Sequence, residues 1–244
     1  MSSIGETIHT SAAVEDYVKA IYALEQGGRG AVSTTALAAR LGVTAGSASA
    51  MVKRLAERGL VDHRPYRGAS LTSAGVSAAL EVIRHHRLLE TFLAEELGMP
   101  WERVHAEADV LEHVLSEELE ALIAAKLGDP VRDPHGDPIP TVGLELEEPP
   151  TAGLAAMAEG ASGRFVRVSD SDPEMLRYLS ARGIRPGDRF EVVERQPFGG
   201  PLFVRFGAEV HALGGVLAAA MRVEPDGGLP DTRTDISRTN GDDR

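Results

Sequence analysis

Six of the fourteen prolines (Pro130, Pro134, Pro138, Pro140, Pro149 and Pro150) fall within residues 128–160. Proline fixes φ and lacks an N–H, so neither a continuous helix nor a central strand can run through so dense a cluster. Glu145, Glu147 and Glu148 add like charge there. The segment therefore reads as extended, with a linker at residues 141–160, and it divides the chain into two differently patterned parts.

Before it, apolar side chains recur with a helical period. Val14, Tyr17, Ile21 and Leu24 mark a helix over about 12–26, ended by Gly27, Gly28 and Gly30. Ser33 caps a short helix, TTALAARLG, and Thr44 caps AGSASAMVKRLAERG. Two short helices joined by a glycine-containing turn form a helix-turn-helix, and LVDHRPYRGASLT reads as a two-stranded wing tipped by Pro-Tyr-Arg-Gly. Residues 1–73 are thus expected to be a winged helix-turn-helix domain. Thr72 opens a long helix over about 72–97, followed by helices over about 100–107 and 109–126. Their apolar faces suit a core or a dimer seam, which makes residues 74–140 an all-α unit.

After the prolines, RFVRV, RFEVVE, LFVRF and AEVHAL alternate as short strands, and Asp172 with Pro173 starts an intervening helix. Residues 161–224 are expected to form a small β-barrel domain. Residues 225–244 carry little apolar content and read as a disordered tail.

With 43% apolar residues, cores can form, and no apolar run reaches the ~18 residues of a membrane span. The start, MSSIGETIHTSAAVEDY, lacks a basic region followed by an apolar core, so no signal peptide is expected. The absence of cysteine excludes disulfides and thiolate ligands and fits a cytoplasmic protein. A net charge of −12 argues against a chain that coats nucleic acid. Residues 31–70 invert that sign: Arg40, Lys53, Arg54, Arg58, Arg64 and Arg67 face only Glu57 and Asp62. Thr44, Ser47, Ser49, Lys53 and Arg54 put hydroxyls and cations on one predicted helix, and Arg67 sits at the wing tip. Together they suit double-stranded DNA.

The densest chemistry is HAEADVLEH, residues 105–113. On a helix His105, Asp109, Glu112 and His113, spaced i, i+4, i+7 and i+8, share an arc of roughly 100°. His86 and Glu90 repeat the i, i+4 pairing in the preceding helix. Imidazoles and carboxylates on one stripe bind divalent Mn, Fe, Co, Ni or Zn; the same stripe would also serve as a solvated face. No HExxH, Gly-rich phosphate loop or nucleophile motif supports the competing reading of a metal enzyme. A metal-independent winged-helix regulator is the other alternative.

The segments EDYVKAIYALE, HHRLLETFL, VHAEADVLEHVLSEEL and RDPHGDPIP, in this order of parts, resemble the diphtheria-toxin-repressor family of metal-dependent regulators over about residues 10–224. The manganese branch fits better than the iron branch. The resemblance implies a homodimeric repressor of metal-transport genes, an SH3-like (FeoA-like) C-terminal domain, and Mn²⁺ as the effector. Fe²⁺ is the alternative, and Co²⁺, Ni²⁺, Zn²⁺ and Cd²⁺ are in vitro substitutes. It implies a primary site of Asp16, Asp109, Glu112 and His113 and an ancillary site of His86, Glu90 and His105. Asp170 is a further candidate ligand, equally readable as a turn residue ahead of the helix cap. Iron-type members carry Met and Cys where this chain has Asp16 and Asp109, which hardens the site. Where some manganese-type members place a Glu, this chain has Lys19, so two separated sites are expected rather than a tight binuclear pair. Arg167, Asp133 and Asp137 also depart from the iron-branch pattern.

Overall fold

The computed structural model describes residues 11–28, 30–64 and 67–228. Pro65 and Tyr66 of the wing tip, and residues 229–244 of the expected tail, lie outside them. The described chain forms two compact units: residues 11–99, 104–131 and 138–147, and residues 100–103, 132–137 and 148–228.

The first unit begins with α1 (Ala12–Gly27), α2 (Thr34–Leu41) and α3 (Ala45–Glu57). The caps fall where hydroxyls can satisfy free backbone donors: Ser33 accepts from Ala36 N–H and Thr44 from Ser47 N–H, each at 3.1 Å. Gly42 closes α2 at φ 66°, a conformation that favours glycine. Strands β1 (Val61–Arg64) and β2 (Gly68–Leu71) pair antiparallel as the wing. Gly68 sits at φ 92° where a Cβ would stand 2.7 Å from Val32 O, so the wing can dock on Val32 only with glycine there. Val14, Val18, Ile21, Leu37, Val52 and Leu55 fill the core of this half.

Thr72 caps α4 (Ser73–Glu95), which α5 (Trp101–Leu111) and α6 (Glu117–Leu127) follow. Leu88, Leu89, Ala108, Ile123, Ala124 and Ile139 form a second, smaller core. The expected break near residue 108 lies further on. α5 continues to Leu111, a single 3-10 turn spans Glu112–Val114, and Leu115 is extended at ψ 123°. Ser116 then restarts the chain as α6 by accepting from Leu119 N–H at 3.3 Å.

In the second unit an antiparallel sheet runs in the order β3-β8-β4-β5-β6-β7. Its strands are β3 (Ala152–Gly153), β4 (Ser162–Val168), β5 (Arg189–Arg195), β6 (Leu202–Phe206), β7 (Glu209–Leu213) and β8 (Met221–Pro225). Helix α7 (Pro173–Ser180) follows β4, capped by Asp172 as expected, and α8 (Gly215–Ala220) leads into β8. The sheet is SH3-like but open, not a closed barrel: β3, two residues long, pairs with β8 alone, which leaves β3 and β7 as edges. Two further expectations need correction. Residues 152–157, assigned to the linker, instead supply β3 and the core side chains Leu154 and Met157. The tail does not begin at residue 225, because Pro225 ends β8 and Asp226 is gripped by Arg189 at 2.6 and 3.1 Å and by Ser162 at 2.9 Å.

Candidate metal centre and nucleic-acid interface

Three elements of the first unit converge on one cluster of acids and imidazoles. α1 supplies Glu15, Asp16 and Lys19; α4 supplies His86 and Glu90; α5 and the 3-10 turn supply His105, Asp109, Glu112 and His113. The turn matters because it departs from helical spacing, so the four residues of HAEADVLEH do not share one stripe. His113 reaches α1, with Nδ1 2.5 Å from Glu15 Oε2 and Nε2 3.2 Å from Asp16 Oδ1. Glu112 reaches α4, its Oε2 2.5 Å from His86 Nδ1. His86 Nε2 lies 3.0 Å from both Glu90 Oε1 and His105 Nδ1. Asp109, half exposed, stands 3.4 Å from His86 Nδ1 and 3.5 Å from His105 Nε2.

Within the first unit, ligand atoms fall into three overlapping groups, each within 4.8 Å internally: Asp16, Glu112 and His113; His86, Asp109 and Glu112; and His86, Glu90 and His105. The cluster brings together the residues expected for both sites in this unit, but Asp109 groups with His86 and Glu112 rather than with Asp16 and His113, and Glu112 is shared between two of the groups. The donors are carboxylate oxygens and imidazole nitrogens, the set that borderline and hard divalent ions take. Glu112 is almost fully buried, at 1% side-chain exposure. In the structure Lys19 and His86 compensate its charge, and it is the carboxylate and imidazole donor set that fits a divalent ion.

Burial raises the pKa of Asp16, and the Glu112 carboxylate adds to that while His113 opposes it. Burial works against protonation of His86, yet its hydrogen bonds to Glu112 and Glu90 outweigh this and the net shift is upward. For Glu112 burial is likewise overcome, by His86 and Lys19, and its pKa is lowered. Lys19 lies 2.8 and 3.0 Å from the two oxygens of Glu112.

Sequence reasoning missed two groups here. Glu15 is invisible to any local pattern because its partner His113 is 98 residues away. The other is a buried set beside the cluster, in which Glu120 accepts from Arg84 Nε at 2.5 Å and lies 3.0 Å from His85 Nε2. In the second unit, Asp170 follows Ser169, whose hydroxyl bonds Ser171 at 2.8 Å in the turn before α7. Arg167 pairs with Asp137 at 3.1 Å, and Asp133 accepts backbone N–H bonds from His135 and Asp137 at 2.8 and 2.9 Å, so these departures from the iron-branch pattern are structural.

α3 buries Ala48, Val52 and Leu55 and exposes Ser47, Ser49, Lys53 and Arg54; Arg67 is exposed on the wing. Thr44 is exposed too, but its hydroxyl caps α3 and bonds Ser47 Oγ at 2.9 Å.

Three family models match in sequence: Iron dependent repressor, N-terminal DNA binding domain (residues 9–69); Iron dependent repressor, metal binding and dimerisation domain (72–141); and FeoA domain (153–225). The chain is 34% identical over 226 residues to the diphtheria toxin repressor of Corynebacterium efficiens, covering 88% of this chain and 96% of that one. This chain belongs to the diphtheria-toxin-repressor family. It is therefore a metal-dependent transcriptional repressor, and members of the family bind operator DNA as dimers rather than catalyse a reaction. Among its relatives is the iron-dependent repressor IdeR of Mycobacterium leprae, 34% identical over 86% of this chain and 96% of that protein. Among solved structures of the family, a manganese-dependent transcriptional repressor in complex with manganese superposes with a TM-score of 0.80 at 45% identity, covering 86% of this chain and 98% of that one. Among the described residues no helix is long and apolar enough to cross a membrane.

Proposed function

We propose that this repressor responds to Mn²⁺ and controls metal-transport genes. Asp16, Asp109, Glu112 and His113 would hold one ion and His86, Glu90 and His105 another, with Asp170 a further candidate on the resemblance alone. The observation that carries the choice of metal is the all-oxygen-and-nitrogen donor set: Asp16 and Asp109 stand beside His113 and His86, at positions where the resemblance implies sulfur in iron-type members. Affinity alone rises from Mn²⁺ to Fe²⁺, so discrimination must come from ligand type and geometry. The iron reading rests on relatives named as iron-dependent repressors, such as IdeR of Mycobacterium leprae.

When bound, the ion supplies the positive charge that the clustered carboxylates need. Asp16 belongs to α1, while Glu112 and His113 belong to the turn that follows α5. By sharing one ligand position they tie α1 to the dimerisation helices. α1 also buries Val14, Val18 and Ile21 in the winged-helix core, so the tie restrains the whole DNA-binding half. In a dimer, the two α3 helices must present themselves about one helical turn, ~34 Å, apart to enter successive major grooves. Restraining them in advance removes ordering entropy that DNA would otherwise have to oppose. Ser47, Ser49, Lys53, Arg54 and Arg67 are the proposed DNA contacts, and Thr44 acts through its cap.

The test is anaerobic fluorescence anisotropy on an operator from the chain's own upstream region or a metal-transporter promoter, titrated with Mn²⁺ and then Fe²⁺. Binding that appears with micromolar Mn²⁺, reverses with chelator and is lost in Asp16→Ala and His113→Ala while the dimer persists is expected. Binding indifferent to metal, or driven by Fe²⁺ alone, would overturn the proposal.

A further inference from the structure

Lys19 occupies an unusual place for a surface-helix lysine. Its Nζ lies 3.0 Å from His86 Nδ1, 3.2 Å from Asp109 Oδ1, and 3.0 and 2.8 Å from Glu112 Oε1 and Oε2. Those three partners are the middle of the three ligand groups. The ammonium therefore sits on the same atoms that a divalent ion there would need. Glu112 also belongs to the group with Asp16 and His113, so an ion on that flank must take an oxygen already held by Lys19.

We propose that Lys19 is a tethered internal cation that competes with metal for Glu112 and Asp109 and thereby sets the metal concentration at which the repressor responds. The inference rests on the reading of this cluster as the metal centre. Three consequences follow from charge and reach. Without metal, the ammonium screens the carboxylates and holds α1 against α4 and the 3-10 turn. On metal binding it must give up at least part of Glu112, at a cost subtracted from affinity. While it stays near the middle group, like-charge repulsion keeps a second ion to the His86, Glu90 and His105 flank. At an effective dielectric of about 20, like charges about 4 Å apart repel by more than a tenfold change in affinity requires.

The experiment is calorimetric titration of the full-length chain with Mn²⁺, comparing wild type, Lys19→Met, Lys19→Gln and Lys19→Arg. Lys126→Met serves as a control that removes the same charge from an exposed pair with Glu96. Lys19→Met and Lys19→Gln are expected to bind Mn²⁺ about ten- to a hundredfold more tightly and, without metal, to melt lower than wild type. Lys19→Arg keeps the cation and should stay near wild type, as should Lys126→Met. Circular dichroism establishes that each variant is folded, and Gln keeps a polar donor in case Met does not fold. Unchanged or weaker affinity in both uncharged variants would overturn the inference while leaving the metal centre standing. Equal tightening in Lys126→Met would also overturn it, since the effect would then be one of net charge. No Mn²⁺ uptake by any of the chains would overturn the metal centre and the inference with it.

Discussion

Replacing Glu15 tests whether a residue that binds no metal tunes the centre. Its Oε2 lies 2.5 Å from His113 Nδ1, and both side chains are about 15% exposed. An ionised carboxylate can only accept, so Glu15 holds a hydrogen on Nδ1, and Nε2, which faces Asp16 at 3.2 Å, is the nitrogen left to bind an ion once it has lost its own proton. Glu15 thus orients the ring of a proposed ligand. Losing a partner that orients a ligand typically costs 10–100-fold in metal affinity, about 1.4–2.8 kcal/mol. That range matches the worth of a shielded charge-assisted hydrogen bond. Glu15→Gln keeps an acceptor oxygen without the charge and should lose about tenfold; Glu15→Ala should approach a hundredfold. Mn²⁺ titration calorimetry gives the affinities, and operator anisotropy should show the same loss as a higher Mn²⁺ midpoint. A wild-type dissociation constant in Glu15→Ala would refute the reasoning. So would equal losses in the Ala and Gln variants, because Glu15 would then be a ligand and not an orienting group.

Two further outcomes are expected. Arg54→Ala, exposed on α3, should weaken operator binding, lower the slope of log affinity against log salt by about 0.9 and leave Mn²⁺ uptake intact; loss of metal uptake would contradict that division between α3 and the metal centre. Glu120→Gln breaks the shielded set with His85 and Arg84 and should cost the metal-free chain about 2–3 kcal/mol near pH 6, measured by thermal melts. Its pH signature follows from both partners. Glu120 is held below its ordinary 4.5, by the His85 hydrogen bond first and Arg84 next, so its contribution is present above 4.5 and is lost as pH falls through the depressed value. His85 is shifted up from 6.5: burial opposes the proton, but Glu120 prevails, so its contribution is present below 6.5 and is lost as pH rises through the raised value. The gap between the two chains should therefore narrow toward pH 3, and a gap constant from pH 6 down to pH 3 would refute the assignment.

The winged helix was legible because its boundaries are local. Ser33, Thr44 and Thr72 cap α2, α3 and α4 through bonds to residues three positions on, which a sequence displays directly. The candidate metal centre was legible in residue type but not in arrangement. The helical period runs on through Leu111 and Leu115, yet extended Leu115 and the Ser116 cap interrupt it, and the resulting 3-10 turn sends Glu112 to His86 and His113 to Glu15. No pattern in HAEADVLEH distinguishes those destinations. Lys19 could be recognised as unable to ligate, but its place on Asp109 and Glu112 comes from contacts spanning 90 and 93 residues. In the second unit β3 is two residues long, too short to alternate, and β8 alternates Met221, Arg222, Val223 and Glu224 but directly follows the alanines of α8, which obscure where the strand begins.

None of the proposed metal-centre residues lies on α3 or on the wing, so an ion bound by them would add no contact to DNA. What the residues of α1 can do is change how firmly the winged helix is held. Glu15, Asp16 and Lys19 occupy little more than one turn of a helix whose other face, through Val14, Val18 and Ile21, is fully buried in the core it shares with α2, α3 and the wing. A rigid α1 carries any restraint at one face to the other. Coupling of this kind is reciprocal: whatever factor the metal adds to operator affinity, the operator must return to metal affinity. Lys19 then acts on both. By opposing the ion at Glu112 it lowers occupancy, and by bridging α1 to Glu112 and Asp109 without an ion it restrains the helix partway. The difference between those two effects, not the ligands alone, fixes how sharply DNA binding can depend on metal.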